Sequence, residues 1–482
     1  MIMIAVLVLY VAIVSFIGYH YRKSEDGEDY FLASRMMPSW LLAITFIASW
    51  WGGGSAVDLA DQAYSDGVSS FWIYGVPVLL ATALMYLIAP AVRRVGTLTQ
   101  SELLEQRYDS RTALMLTLFI LIFMTIGVSV QAIVIARFFD SFLGVGYELG
   151  AVLGVAFVLF YSLFGGFRGV VLTDLLQFAF FLCSSVLLFV VSYRGAGGFE
   201  GMVDSAERMQ RVGFTDFFHK IEDNIAYVIT FGTSWIVQAN VWQRISAARD
   251  AGAARKMMKI SFVVFIPLYL MVVATGMLSL PMFESLPSGG IVPALMKEMG
   301  SPVLSGIIFV GLCSAIMSTM DSMFNTGAMT LTVDLFQRYI RPHASGKQLV
   351  LVGRLSTLMM GVVALFVALN IRTVLTISWI GADFIATGAF VPLILGFFWR
   401  GGTRQAALAS MIFGLLFSSY NFAVALGVSL PTLWDIASAE QAMIGVFTSL
   451  VLFVVVSLLT QGSREQRKKA EAFIHHSKPI GS

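Results

Sequence analysis

Phe46-Ile-Ala-Ser-Trp-Trp-Gly-Gly-Gly-Ser55 sets three consecutive glycines inside an apolar stretch that runs from Ser39 to Tyr64. Each glycine weakens a helix by about 1 kcal/mol relative to alanine, so a span built on this stretch loosens in its middle. Loosened backbone at membrane depth persists only where it is buried in protein or lines a cavity. There its freed carbonyls and half-helix ends suit an ion or a polar solute. The other use of such a run is close helix packing through small residues. Both readings require a bundle of spanning helices, which makes the chain an all-α integral membrane protein.

Composition agrees. Of 482 residues, 57% are apolar and 12% charged, against about 25% charged in a soluble domain. Mean hydropathy is +0.81. A soluble enzyme, a disulfide scaffold and a disordered chain are excluded. The net charge of +2 gives no field for nucleic acid, so the expected partners are the lipid bilayer and a small-molecule solute. Cys183 and Cys313 both sit in apolar runs, and all five histidines lie in loops or at helix ends. No Walker motif is present, so any pumping draws on an ion gradient.

Apolar runs of helix length predict about 13 transmembrane helices, at 2–19, 39–64, 69–89, 112–142, 149–164, 170–193, 221–241, 260–282, 302–323, 349–370, 374–398, 404–427 and 441–459. The break between the fifth and sixth rests on Gly165, Gly166 and Gly169. With alternating loops, 24 of the 31 Lys and Arg residues fall on one side, Arg244 and Arg107 among them. By the positive-inside bias the N-terminus is expected outside and the C-terminus in the cytoplasm of a plasma membrane of bacterial inner-membrane type. The longest outer loop is 194–220. The charged tail, 461–482, reads as a solvated cytoplasmic end.

Ionisable residues inside apolar helices are functional candidates by default. They are Asp58, Asp61, Arg137, Asp174, Asp321 and Asp383. In Cys313-Ser-Ala-Ile-Met-Ser-Thr-Met-Asp-Ser322, residues Ser318, Asp321 and Ser322 stand three and four apart and share a helix face. Such hydroxyls either bond back to the preceding turn or hold a small hard cation. Asp321 needs a partner, a proton or an ion in either case.

Several segments together resemble the sodium:solute symporter family. Gly165-Gly166-Phe-Arg-Gly-Val-Val-Leu-Thr-Asp174-Leu-Leu-Gln177 is similar to its glycine-pair signature, and Ala315-Ile-Met-Ser318-Thr319 to its sodium-site helix, with Asp334-Leu-Phe beyond. Gln243-Arg244-Ile-Ser-Ala-Ala and Phe397-Phe-Trp-Arg400 also fit, so that the likeness runs from about Tyr30 to Gly414. The resemblance implies a LeuT-type core of two five-helix inverted repeats, at 39–193 and 221–399. A first flanking segment (1–38), the outer loop (194–220), two flanking helices (400–460) and the tail (461–482) would complete a single transporter domain. It further implies a co-transported sodium ion held by Ala48, Trp51, Ala315, Ser318 and Thr319, with no organic cofactor. A second ion near Asp174, Asp321 and Ser322 would depart from the all-hydroxyl second site of other members.

The solute is expected at mid-membrane beside the sodium, among Trp50, Gln62, Gln131, Trp235, Gln238 and Trp242, with Asp58 at the outer mouth. The glycine run and Met317–Ser322 look most like the choline-transporter branch, whose aromatic cage binds quaternary ammonium by cation–π attraction. Trp50 matches one cage position, whereas Ser129 or Val130 and Gln238 stand at the others. An amino acid or another zwitterion fits the same wall. The reading is a sodium-coupled symporter working by alternating access. Its alternatives are proton coupling through Asp321, a non-transporting sensor on the same scaffold, and an intramembrane aspartyl enzyme using Asp174 and Asp321.

Overall fold

The computed structural model describes residues 2–20, 27–372, 374–425, 428, 430, 438–460 and 463–477. Arg22, Lys23 and Lys478 of the charge tally, and the expected helix end at Gly427, lie outside them. The described chain is helical throughout. Its principal helices are α1 (Ile2–His20), α2 (Ser39–Trp50), α3 (Leu59–Asp66), α4 (Phe71–Val95), α5 (Gln100–Arg107), α6 (Ser110–Leu143), α7 (Tyr147–Gly195), α8 (Ile221–Ile236) and α9 (Ala239–Ser246). They continue with α10 (Ala251–Leu278), α11 (Pro302–Met329), α12 (Gly346–Asn370), α13 (Val374–Ile385), α14 (Val391–Phe398), α15 (Arg404–Ala425), α16 (Ser438–Thr460) and α17 (Arg464–Ser477). Among the described residues nine helices are long and apolar enough to cross a membrane, and three shorter apolar helices accompany them.

The glycine run breaks its helix as expected. Trp51 leaves helical geometry (φ −87°, ψ 65°) after donating to the Ile47 carbonyl. Bonding resumes with Ala56 N–H to the Gly52 carbonyl at 3.0 Å, which begins a loosely wound turn leading into α3.

A second break, between α8 and α9, departs from the expected continuous span at 221–241. That interval holds no proline, and its only glycine, Gly232, lies inside α8. At Gln238 the backbone is nevertheless extended (φ −66°, ψ 120°). Side chains stabilise it by taking the carbonyls that the break releases. Trp242 Nε1 donates to Ile236 O at 2.7 Å, and Gln100 Nε2 donates to Val237 O at 2.9 Å. A buried break needs such partners.

The third interruption lies inside α7, where Gly166 adopts φ 53°, ψ −164°. A Cβ there would stand 2.8 Å from the Tyr30 ring and 2.9 Å from the Tyr30 carbonyl oxygen. Positive φ and a rigid backbone neighbour both oppose a side chain. Gly166→Ala is therefore expected to destabilise the protein by about 1–3 kcal/mol, read as a lower melting temperature in detergent, whereas Gly144→Ala, with open space around its Cβ position, should pay only the positive-φ term.

Helix α11 overruns its expected end at Met323. It reaches Met329 and continues as wider turns to Ile340. Thr326 and Thr330 bond back to Ser322 O and Thr326 O, so this polar segment stays helical while buried. The whole of Ile308–Thr330 is buried, and α11 forms the axis around which α1, α6 and α7 pack.

The tail also corrects the expectation. It is not solvated along its length, since α17 docks on the bundle with Ala470, Phe473 and Ile474 buried. Phe473 meets Phe397 of α14 at a ring separation of 5.3 Å. Lys469 Nζ donates to Tyr108 O, and Arg94 Nη1 to Ser477 O, both at 2.8 Å. The helix thus ties the end of α4 to the turn before α6 and to α14. Its many charged residues hide this role, because only one stripe of it is apolar.

Candidate ion and solute site

The break after α2 faces α11 and α6. Thr319 Oγ1 lies 3.2 Å from Ala315 O, its own preceding turn, and 3.5 Å from Ala48 O across the helix gap. Three of the five expected sodium ligands are thus joined by one hydroxyl. A Cβ at Gly52 would lie 3.1 Å from Thr319 Oγ1 and 3.0 Å from Gln131 Nε2, so those side chains would have to give way. Gln131 Oε1 in turn accepts the Gly53 N–H at 3.2 Å. The backbone of Trp51 lies at the break, while its indole packs away from it against Tyr269 and Phe181. Ser318, the fifth expected ligand, donates its hydroxyl to Asp174.

Beside Thr319 is a cavity of about 110 Å³. Trp50, Gln131, Trp235 and Gln238 line it as expected, joined by Tyr74, Phe123 and Phe231, which the sequence does not single out. Trp50 and Trp235 approach at 5.6 Å between ring centroids, and Tyr74 stacks on Phe231 at 5.4 Å. Among the described residues no charged side chain lines this cavity. Trp50 Nε1 and Gln238 Oε1 are buried without a protein partner. Gln131, Gln238, Tyr74, Thr319 and three serines give the wall its polar groups among several aromatic faces.

Two expected lining residues lie elsewhere. Trp242 spends its indole N–H on the α8–α9 break and lines a narrow crevice of about 10 Å³ near Thr97–Gln100. Gln62 is half-buried on α3 and touches neither cavity. At the opposite end of the bundle, Asp58, Asp61, Arg137 and Asp140 line a wider cavity of about 480 Å³. Asp58, expected at the outer mouth, thus lines this cavity. Asp61 accepts the Ile291 N–H at 2.7 Å.

Below the expected sodium site is a fully buried charge network. Asp174 on α7 and Arg244 on α9 are both 0% exposed and pair at 3.3 Å. Asp174 also accepts the hydroxyls of Thr45 and Ser318. Arg244 donates to Thr45 Oγ1 at 3.2 Å, Asn240 O at 2.9 Å and Ser322 Oγ at 2.6 Å. The three residues expected at a second ion are therefore not gathered around one point. Asp174 and Ser322 are bridged by Arg244, and Asp321 turns to Ser162 at 2.7 Å, its other oxygen unpartnered.

Arg244 is the buried ion-pair partner that charge counting hides, because the loop tally places it on the cytoplasmic side. The pointer to it is chemical. Asp174 requires a partner, and Arg244 lies in the Gln243-Arg244 segment that carries part of the resemblance. Arg107 is hidden in the same way. It is 2% exposed and donates to the carbonyls of Gly396, Trp399 and Gly402.

Comparison with known proteins fits this geometry. The chain is 25% identical over 479 residues to the osmoregulated proline transporter OpuE of Bacillus subtilis, covering 95% of each protein. It is 27% identical over 420 residues to the sodium/proline symporter of Escherichia coli, covering 82% of each. In structure it superposes on a Na+-coupled sialic acid symporter in a substrate-bound, outward-open state. The TM-score is 0.83 at 18% identity, over 95% of this chain and 98% of that one. MhsT in complex with L-phenylalanine matches at TM-score 0.54 and 14% identity, over 86% and 98% of the two chains. The fold is the LeuT-type fold that the resemblance implied, and the proline and sialic acid transporters named give the choline lean no support. The model of one family matches residues 30–414, and the chain belongs to it: the sodium:solute symporter family.

Proposed function

We propose that this sodium-coupled symporter imports a small zwitterion, an amino or imino acid or a close analogue, with its sodium held between α2 and α11. The observation that carries the reading is the cavity that abuts Thr319. It is aromatic, has no charged side chain among the described residues, and carries the amides of Gln131 and Gln238 and the hydroxyl of Tyr74. A solute of net charge would need a countercharge in this wall. A zwitterion brings its own, and can set its carboxylate toward the neighbouring sodium and the Trp50 N–H. Its ammonium then meets Gln238 Oε1 and the aromatic faces. The proline transporters among the relatives support this class over a choline-like amine.

Sodium is assigned to the carbonyls of Ala48, Trp51 and Ala315 and the hydroxyls of Ser318 and Thr319. With Lys and Arg concentrated on the cytoplasmic side, the N-terminus is outside and the wide cavity at Asp58 and Asp61 opens outward. The crevice at Trp242 is the closed inner path. Sodium and solute favour one conformation over another only through their differential contacts, and both sit where the two broken helices meet the rest.

The deciding experiment is uptake into proteoliposomes under an imposed sodium gradient, with labelled proline, other zwitterions and choline as separate substrates. Zwitterion uptake that collapses when potassium replaces sodium is expected. Choline uptake alone would reject the solute class, and uptake driven by a pH gradient in sodium-free buffer would replace sodium coupling by proton coupling. Gln238→Leu is expected to raise the half-saturating solute concentration about tenfold, because a solute group bonded to the amide would then be left unpaired at a cost of roughly 1–3 kcal/mol. Its sodium-dependent melting shift should be unchanged.

A further inference from the structure

We propose that the cleft where α15, α16 and α17 meet binds the headgroup of one anionic phospholipid, whose acyl chains lie along α16. The cleft is remote from the ion and solute site, and nothing in it depends on which solute the protein carries.

The cleft has a volume of about 440 Å³. The turn Trp399–Thr403, the end of α16 at Ser457 and Leu458, and Gln466, Arg467 and Glu471 of α17 line it. Thr403 caps α15 by accepting the Ala406 N–H at 3.2 Å, and donates its own N–H to Ser457 Oγ at 3.3 Å. Gln466 Nε2 donates to Gln405 Oε1 at 3.4 Å, which joins α17 to the first turn of α15. The charge around the cleft is one-sided. Residues 400–404 and 464–471 hold six Lys and Arg against Glu465 and Glu471. Arg400 has no hydrogen-bond or ion-pair partner among the described residues. Three carbonyls of the turn region that could compete for it, at Gly396, Trp399 and Gly402, are engaged by Arg107 from inside the bundle. The N-terminal dipole of α15 adds to the positive field. Guanidinium forks in such a field match the oxygens of a phosphate.

The neighbouring apolar surface selects a lipid over a free phosphate. α16 ends its apolar span at Thr460, so the cleft lies at the depth of the membrane surface. Leu458, one wall of the cleft, is 62% exposed. Phe447, Val451, Val455 and Leu459 stand at four-residue intervals on the same helix and are all exposed, which makes a continuous apolar ridge. A free phosphate would use only the charged part of this surface. A phospholipid sets its phosphate beside Arg400 and Arg467 while its chains cover the ridge, and the Trp399 indole borders the two as interfacial tryptophans do. Basic pockets between helices at a membrane surface take anionic headgroups in this way.

The test is thermal unfolding of delipidated, detergent-purified protein titrated with short-chain phosphatidylglycerol, phosphatidylcholine or glycerol 3-phosphate. Phosphatidylglycerol should raise the melting temperature to a plateau, and the other two should not. Arg400→Gln/Arg467→Gln should need about thirtyfold more phosphatidylglycerol for half the rise. Arg341→Gln/Lys347→Gln removes as much charge from exposed residues at and before the start of α12, and should keep the wild-type titration. If the cleft pair is not monodisperse, Arg400→Gln alone is read, with a shift of about fivefold. A rise with phosphatidylcholine equal to that with phosphatidylglycerol removes the recognition of charge. An equal rise with glycerol 3-phosphate makes the cleft a site for free phosphate esters. A control pair weakened as much as the cleft variant reduces the effect to general surface charge. Each of these results, like the absence of any rise in wild type, overturns the proposal.

Discussion

Replacing Arg244 with leucine is expected to destabilise the protein by about 3–5 kcal/mol in sodium-free buffer, more than the strain expected from a side chain at Gly166. The substitution leaves Asp174 fully enclosed without its cationic partner, with two hydroxyls as its remaining donors. It also strands the Asn240 carbonyl and the Ser322 hydroxyl that the guanidinium now serves. Thermal unfolding followed by intrinsic fluorescence would read the loss. Asp174→Asn/Arg244→Leu should recover much of it, because the double change removes the buried charge together with its partner, and the two effects are then far from additive. Recovery of none of the loss would mean that packing of the Arg244 side chain, rather than charge pairing, dominates.

Thr319→Val should have the second largest effect, and on function rather than stability. The two side chains are close in shape, so the packing between α2 and α11 is kept while the hydroxyl beside Ala48 and Ala315 is lost. A contact to a charged partner contributes roughly 1.5–3 kcal/mol, which corresponds to about 10- to 150-fold weaker sodium binding. At a sodium concentration a hundred times the wild-type dissociation constant, bound ion stabilises the native state by about 2.7 kcal/mol. About half to nine-tenths of that increment should vanish in the variant. The measurement is the melting temperature in sodium against potassium at equal ionic strength. A valine variant that retains the full sodium-specific rise would move the ion away from Thr319.

What the sequence reveals follows a physical pattern. Features written in the backbone preferences of glycine are legible: the break at Trp51–Gly52, and the turn at Gly166 that divides α7. The hydroxyls of Ser318 and Thr319 are legible because such groups stand out in an apolar helix. The break at Gln238 is not, because no residue there disfavours a helix. It exists through Trp242 and Gln100, and Gln100 lies 137 positions from the Val237 carbonyl it holds. Arg244 and Arg107 are misplaced for a related reason. A charge near a span end reads as solvated unless its buried partners are known, and those partners come from other helices. The wall of the cavity beside Thr319 is half legible. Trp50, Gln131, Trp235 and Gln238 announce themselves as polar or amphipathic residues in spans, while Tyr74, Phe123 and Phe231 are indistinguishable from ordinary packing aromatics.

The docked helix Arg464–Ser477 has a consequence for the order in which the molecule is made. Among the described residues it follows every apolar helix, and synthesis proceeds from the N-terminus. While the ribosome is still producing the spans, the berth formed by Arg94, Tyr108 and Phe397 is vacant. The newborn bundle therefore assembles with this rim unclasped, and the clasp arrives only after α16 has been made. A chain that stops near residue 460 would hold every described apolar helix with that rim still open.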